Sequence, residues 1–308
     1  MIKIDLVTGF LGSGKTTFII EYVNYLVKQG EKVGIIENDF GAINVDMLLL
    51  QDKIGDKCDL EMISGGFDQD SHQRRFKTKL IAMKMLGYDR IIIEPSGIYD
   101  VDEFFDVLRE EPLDSWYEID NVIAIVNGKL EADLSKEANF LLASQIANAA
   151  TILLSRIDEC DHKQINRTID HLNKALTMVQ CKRKLESEIM VKKWDDLTDD
   201  DFKTISTNGY VLTDYLKLNF DQHEIFNSLF FINVHQGKEQ LINTVKKIFN
   251  DHECGKVFRI KGFINENDTW YELNATKQEI TLQPISIGQE IIIVIGEQLQ
   301  KDYLAKYW

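Results

Sequence analysis

The first half of the chain alternates short apolar runs with longer segments of helical spacing. Ile2 to Val7, Lys32 to Ile36, Arg90 to Ile93, Val122 to Val126 and Thr151 to Leu154 are brief, mostly apolar and rich in β-branched residues, the pattern of buried strands. Thr17 to Lys28, Arg74 to Leu86, Asp102 to Arg109 and Asp161 to Val179 carry apolar residues at helical spacing. Buried strands separated by helices predict a parallel sheet covered on both faces. The stretch that follows, to Asp201, is polar and poorly patterned.

After about residue 215 the pattern changes. Leu229 to Val234 reads as a strand and Gly237 to Phe249 as a helix. Four β-like runs come next, Lys256 to Ile264, Trp270 to Asn274, Glu279 to Ile285 and Glu290 to Ile295, and a last helix is expected to run to Trp308. Closely spaced strands with few helices predict a separate α+β unit. The expected organisation is an α/β domain over 1–215 with a mostly parallel sheet, then a smaller C-terminal α+β domain over 216–308.

Composition narrows the partners. The chain has 308 residues, 44% of them apolar and 28% charged, as in ordinary soluble domains. Its formal net charge of -15 repels phosphate backbones and anionic lipid, which argues against nucleic acid and membrane surfaces as main partners. No apolar run approaches the ~20 residues that span a bilayer. Cys58, Cys160, Cys181 and Cys254 are scattered, without CxxC or CxC spacing, so a disulfide framework is not expected. With no targeting segment visible at Met1, a cytoplasmic protein is expected.

The sharpest signal lies between the first strand and the first helix. Gly9-Phe10-Leu11-Gly12-Ser13-Gly14-Lys15-Thr16 fits G-x-x-x-x-G-K-[ST], and Thr17 follows. The chemistry accounts for each position. Glycines at 9, 12 and 14 let backbone amides converge on phosphates, with Ser13 between them. Lys15 supplies a point charge for the β and γ phosphates, and the Thr16 hydroxyl is a magnesium ligand. The helix beginning near Lys15 adds its positive end. Chance produces this pattern in a chain of this length on the order of once in a hundred, and correct placement lowers that further.

Three more segments fall at the ends of predicted strands. Glu94-Pro95-Ser96-Gly97 has the form of a Walker B and switch element, with Glu94 holding magnesium and the Gly97 amide sensing the γ-phosphate. Glu37-Asn38-Asp39-Phe40-Gly41 reaches the carboxyl edge of the sheet, where its acids could hold magnesium, orient the attacking water or bind a second metal. A polar loop with a glycine turn explains that segment equally well. Ser155-Arg156-Ile157-Asp158 places Asp158 where a carboxylate would accept from guanine N1–H and the exocyclic amine, with the Arg156 stem over the base. A helix-capping aspartate competes with that reading.

Taken in order, these segments make the chain resemble the CobW/HypB/UreG group of P-loop GTPases, and within it the CobW-like proteins. Asp46 extends the match. Val257-Phe258-Arg259-Ile260-Lys261-Gly262-Phe263 and Val294-Ile295-Gly296 are similar to parts of a small CobW C-terminal domain. The resemblance implies a slow GTPase that uses GTP and Mg2+ as a switch. It also implies a client that is a metalloprotein or a cofactor-dependent enzyme. One departure stands out. Where CobW-like proteins carry Gly-Cys-x-Cys-Cys, this chain has Gly65-Gly66-Phe67-Asp68-Gln69. Carboxylate and amide make a harder, weaker site than thiolates. Asp68, Asp70 and His72 read as a solvated loop before they read as a metal site, and whether a transition metal binds, through Glu37 and Asp39 or otherwise, stays open. Ser155 and Arg156 also depart from the Asn-Lys that precedes the guanine-reading aspartate. A small-molecule kinase on the same loop is the competing function, with Arg74 and Arg75 as its available arginines. An oligomer is compatible with all of this.

Overall fold

A computed structural model describes residues 1–39, 50, 54, 58–64, 69–97, 101–186, 188–217, 225–286 and 288–308. The side chains of residues 38, 39, 64 and 69–72 fall outside that description, as do Phe40, Gly41, Asp46, Gly65, Gly66, Phe67 and Asp68. Two compact units are present: Met1–Ala42 with Lys53–Asn219, and Ile43–Asp52 with Phe220–Trp308.

The larger unit is built on a seven-stranded sheet. Its strands are β1 (Ile2–Thr8), β2 (Val33–Asp39), β3 (Asp59–Ser64), β4 (Arg90–Pro95), β5 (Tyr117–Asn127), β6 (Thr151–Ser155) and β7 (Ile189–Met190), in the spatial order β3-β2-β4-β1-β5-β6-β7. All six pairings are parallel. Ile91, Ile92 and Ile93 of β4 are all buried, as are Val122 to Val126 of β5. Continuous apolar runs of this kind suit strands covered on both faces.

The helices that provide the cover are α1 (Lys15–Lys28), α2 (Gln69–Met83), α3 (Val101–Leu108), α4 (Leu113–Trp116), α5 (Lys136–Ala147), α6 (His162–Met178) and α7 (Asp199–Ile205). In α1, Phe18, Ile19, Tyr22, Val23 and Leu26 face inward at i, i+4, i+8 spacing. Ser135 caps α5 by accepting from the Ala138 amide, and Thr198 with Asp201 closes a capping box on α7.

Asp5, in the middle of β1, is fully buried and has a partner on every side. Arg90 Nη1 donates to both of its oxygens at 2.7 Å, Tyr22 Oη donates at 2.7 Å and Asn121 Nδ2 at 2.9 Å. Burial still pushes the Asp5 carboxyl above its ordinary range, while the Arg90 charge and these donors pull it down.

The smaller unit is a five-stranded antiparallel sheet in the order β11-β10-β9-β12-β8. The strands are β8 (Phe226–Ile232), β9 (Lys256–Glu266), β10 (Thr269–Thr276), β11 (Ile280–Ile285) and β12 (Ile291–Glu297). Helix α8 (Lys238–Asn250) buries Leu241, Val245 and Ile248 in a core shared with Ile260, Leu273, Ile292 and Val294. This is an α+β arrangement.

Two expectations need correction. The last helix, α9, spans only Lys301–Leu304 and does not continue to Trp308. Tyr307 Oη donates to Asp251 Oδ2 at 2.6 Å and Gln236 Nε2 donates to the Tyr307 carbonyl at 2.7 Å, while Tyr307 and Trp308 pack on the core. Those contacts draw the chain off the helix axis. The stretch before Asp201 also carries structure: β7, a 3-10 turn at Trp194–Asp196 and the start of α7.

Candidate functional site

Parallel order aligns the carboxyl ends of all seven strands, and the candidate residues sit on that edge. The loop leaving β1 turns tightly around Gly9, Gly12 and Gly14, all with positive φ. A methyl group on Gly9 would lie 2.2 Å from the Ile125 carbonyl oxygen, so only glycine lets the loop pass β5. Lys15, 7% exposed, arches back and donates from Nζ to the Gly9 carbonyl at 3.0 Å. Its charge is thus held over the concave face of the loop. Ser13 Oγ and Thr8 Oγ1 are buried with no hydrogen-bond partner among the described residues. Buried hydroxyls normally have partners, and a phosphate oxygen would supply one for Ser13.

Thr16, in the first turn of α1, donates from Oγ1 to Glu94 Oε1 at 3.1 Å. Glu94 comes from the end of β4, next to β1, and is 5% exposed. On the other flank of β4, Glu37 of β2 is the register partner of Glu94 and is 4% exposed. Parallel register puts the two residues side by side at one edge of the sheet. The Thr16 hydroxyl and the Glu94 carboxylate are hard oxygen donors of the kind magnesium takes. The residues present therefore fit a magnesium ion. The backbone of Asp39 ends β2 at the same edge, and its side chain lies outside the described residues.

Gly97 lies against the phosphate loop. A methyl on it would be 2.7 Å from the Leu11 amide nitrogen. Its carbonyl accepts from Gln145 Nε2 of α5 at 3.0 Å, a buried bond. Gln145 carries no local sequence signal, because nothing in the pattern of α5 links it to the loop after β4.

Beyond β6, Arg156 takes a left-handed conformation with φ 55 and opens the 3-10 turn Ile157–Glu159. Asp158 within that turn is exposed. Cys160 Sγ donates to the Arg156 carbonyl at 3.2 Å, Lys129 pairs with Glu159, and the Gly128 amide donates to the Ser155 carbonyl at 2.9 Å. The turn is fixed, and its aspartate is offered to solvent. Asp158 does not cap α6; Asp161 does, accepting from the Gln164 amide.

Arg74 and Arg75 are exposed on α2 and line an open groove with Met62, Ile63, Thr78 and Lys79. Asp68, Asp70 and His72 lie outside the described side chains. Among the described residues no group of three or more His, Cys, Asp or Glu side chains is placed to hold a metal, and no helix is long and apolar enough to cross a membrane.

Residues 3–184 match the CobW/HypB/UreG nucleotide-binding domain. The chain is 30% identical over 167 residues to the zinc chaperone YjiA of Escherichia coli, an alignment covering 51% of this chain and 50% of that protein. It is 29% identical over 159 residues to the zinc chaperone YeiR of Escherichia coli, covering 51% and 47%. The alignment spans about half the length of each of these two relatives. The zinc-regulated GTPase metalloprotein activator 1 of Schizosaccharomyces pombe is 19% identical over 351 residues, covering 97% of this chain and 83% of that protein.

Proposed function

The chain belongs to the CobW/HypB/UreG family, and we propose that it is a magnesium-dependent GTP-binding protein that hydrolyses GTP slowly and acts as a switch on a client. The client would be a metalloprotein or a cofactor-dependent enzyme. The observation that carries the reading is the hydrogen bond between Thr16 and Glu94 beside a Lys15 already held over the phosphate loop.

In this reading the amides of Gly12, Ser13, Gly14, Lys15, Thr16 and Thr17 cradle the phosphates, and Lys15 adds a charge at the β and γ positions. Thr16 and Glu94 would hold magnesium, which offsets the charge that develops on the phosphates. Asp39 orients the attacking water, or shares a second metal with Glu37. The Gly97 amide reads the γ-phosphate, and its departure frees the loop. Arg156 covers the base and Asp158 selects guanine. Residues 1–215 make the GTPase domain and 216–308 a CobW-like C-terminal domain, in a cytoplasmic protein.

The names of the relatives make zinc the first metal to test as cargo, and they do not favour a small-molecule kinase. The test is GTP and ATP turnover with magnesium, with and without zinc, in wild type and Lys15→Ala. Slow turnover of GTP over ATP, lost in K15A, is expected, and zinc should change either turnover or nucleotide affinity. Equal turnover of both nucleotides by wild type and K15A would overturn the proposal.

A further inference from the structure

Trp194 has no part in the site described so far. It opens the 3-10 turn Trp194–Asp196, four residues after β7 ends at Met190. Since β7 is the outer neighbour of β6, the turn leaves the same sheet edge as the segment carrying Arg156 and Asp158. Its indole reaches the phosphate loop at Gly14. A methyl on Gly14 would sit 3.6 Å from Ser155 Cβ and 3.9 Å from Trp194 Cζ2, so the two segments converge on that glycine.

The indole is also anchored from below. It packs on Phe18 of α1 with ring centroids 5.9 Å apart and an interplanar angle of 43°. Lys192, two residues before it, donates to Asp201 in the capping box of α7. Yet Trp194 is only half-buried. A partly exposed aromatic side chain is therefore packed beside Gly14, on the side where Ser155 leads to Asp158. A nucleotide whose phosphates rest on Gly14 must run its ribose and base along that side to bring guanine to Asp158.

We propose that Trp194 is a wall of the nucleoside pocket, packing against the base or ribose of the bound nucleotide. Aromatic faces stack on any base, so Trp194 contributes affinity while Asp158 contributes selectivity. The inference rests on the GTP-binding reading and adds a contact the phosphate loop does not make.

Calorimetric titrations of GDP, ADP and inorganic tripolyphosphate into wild type, Trp194→Phe and Trp194→Leu, with tryptophan fluorescence recorded in parallel, test it. Tripolyphosphate reports the phosphate loop alone. The expected result is a saturable fluorescence change with GDP in wild type that is lost in W194F. In W194L, GDP and ADP affinity should each fall at least ~5-fold, with tripolyphosphate affinity unchanged. W194F, which keeps an aromatic face and the Phe18 packing, should retain most of the GDP affinity. If W194L weakens tripolyphosphate as much as GDP, Trp194 only props the loop and the inference fails. Unchanged GDP affinity in W194L overturns it as well, and leaves GTP binding standing. A wild-type protein that binds no nucleotide overturns both.

Discussion

Glu37 and Glu94 are register partners on adjacent parallel strands, both almost fully buried, and Glu94 also accepts from Thr16 Oγ1. The Thr16 hydroxyl, proposed as a magnesium ligand, is held by Glu94. Glu94→Gln is therefore expected to raise the magnesium concentration for half-maximal GTP turnover ~10–100-fold, and Glu37→Gln to raise it less. Magnesium titrations of both variants measure this. The reverse order would move the proposed magnesium site onto β2.

Gly97 touches Leu11 on one side and is held through its carbonyl by Gln145 on the other. A methyl at 97 has no room while the loop stays where it is. Gly97→Ala should therefore keep GDP affinity within ~3-fold and lose the tighter binding of a non-hydrolysable GTP analogue. Gln145→Leu leaves the Gly97 carbonyl without that donor, a loss of ~1–3 kcal/mol. It is expected to lower the GTP-to-GDP affinity ratio ~10-fold. Calorimetry with both nucleotides checks each variant, and an unchanged ratio in both would remove Gly97 from nucleotide sensing.

The sequence made some of this legible and hid the rest for physical reasons. The phosphate loop is readable because its spacing is dictated by local backbone geometry around Gly9 and Gly14. The strands β1, β4 and β6 are readable because each is a short run buried on both faces. Helix α5 is not, since Ala138 and Phe140 to Ala147 are all buried and leave no polar face to set a period. Strand β7 is two residues long, too short for any alternation to show. Gln145 and Trp194 reach the site only through tertiary packing. The one local hint was the cap at Ser135, which marks the start of α5 and, with it, a helix able to place Gln145.

Arg90 makes a further prediction, about stability. It is 2% exposed and donates to Asp5, Glu31 and Asp120. Arg90→Leu removes the only cation touching the buried Asp5 among these contacts. Breaking one side of such a pair costs ~3–5 kcal/mol, because a charge is left buried. Asp5→Leu combined with Arg90→Leu removes both charges and should recover much of that loss. Urea unfolding of the single and double variants measures it. A double variant no more stable than R90L would show that the remaining donors, Tyr22 and Asn121, depend on the Asp5 carboxylate.

Asp201 gives a pH-dependent test of the segment that carries Trp194. Hydrogen bonds from Lys192 and Thr198 hold its carboxyl down at about 2. An unfolded aspartate titrates near ~3.9. The folded value is the lower one, so the stabilisation is complete above ~4 and is lost as pH falls toward 2. Asp201→Asn cannot ionise and forgoes it at every pH. The urea midpoint of wild type should exceed that of D201N at neutral pH, with the gap closing between about pH 4 and pH 2. Because Lys192 ties Asp201 to the Trp194 turn, D201N should also loosen the indole and lower GDP affinity, while tripolyphosphate binding stays as it is. A pH-independent gap would mean that packing of α7, and not the Asp201 charge, holds the turn in place.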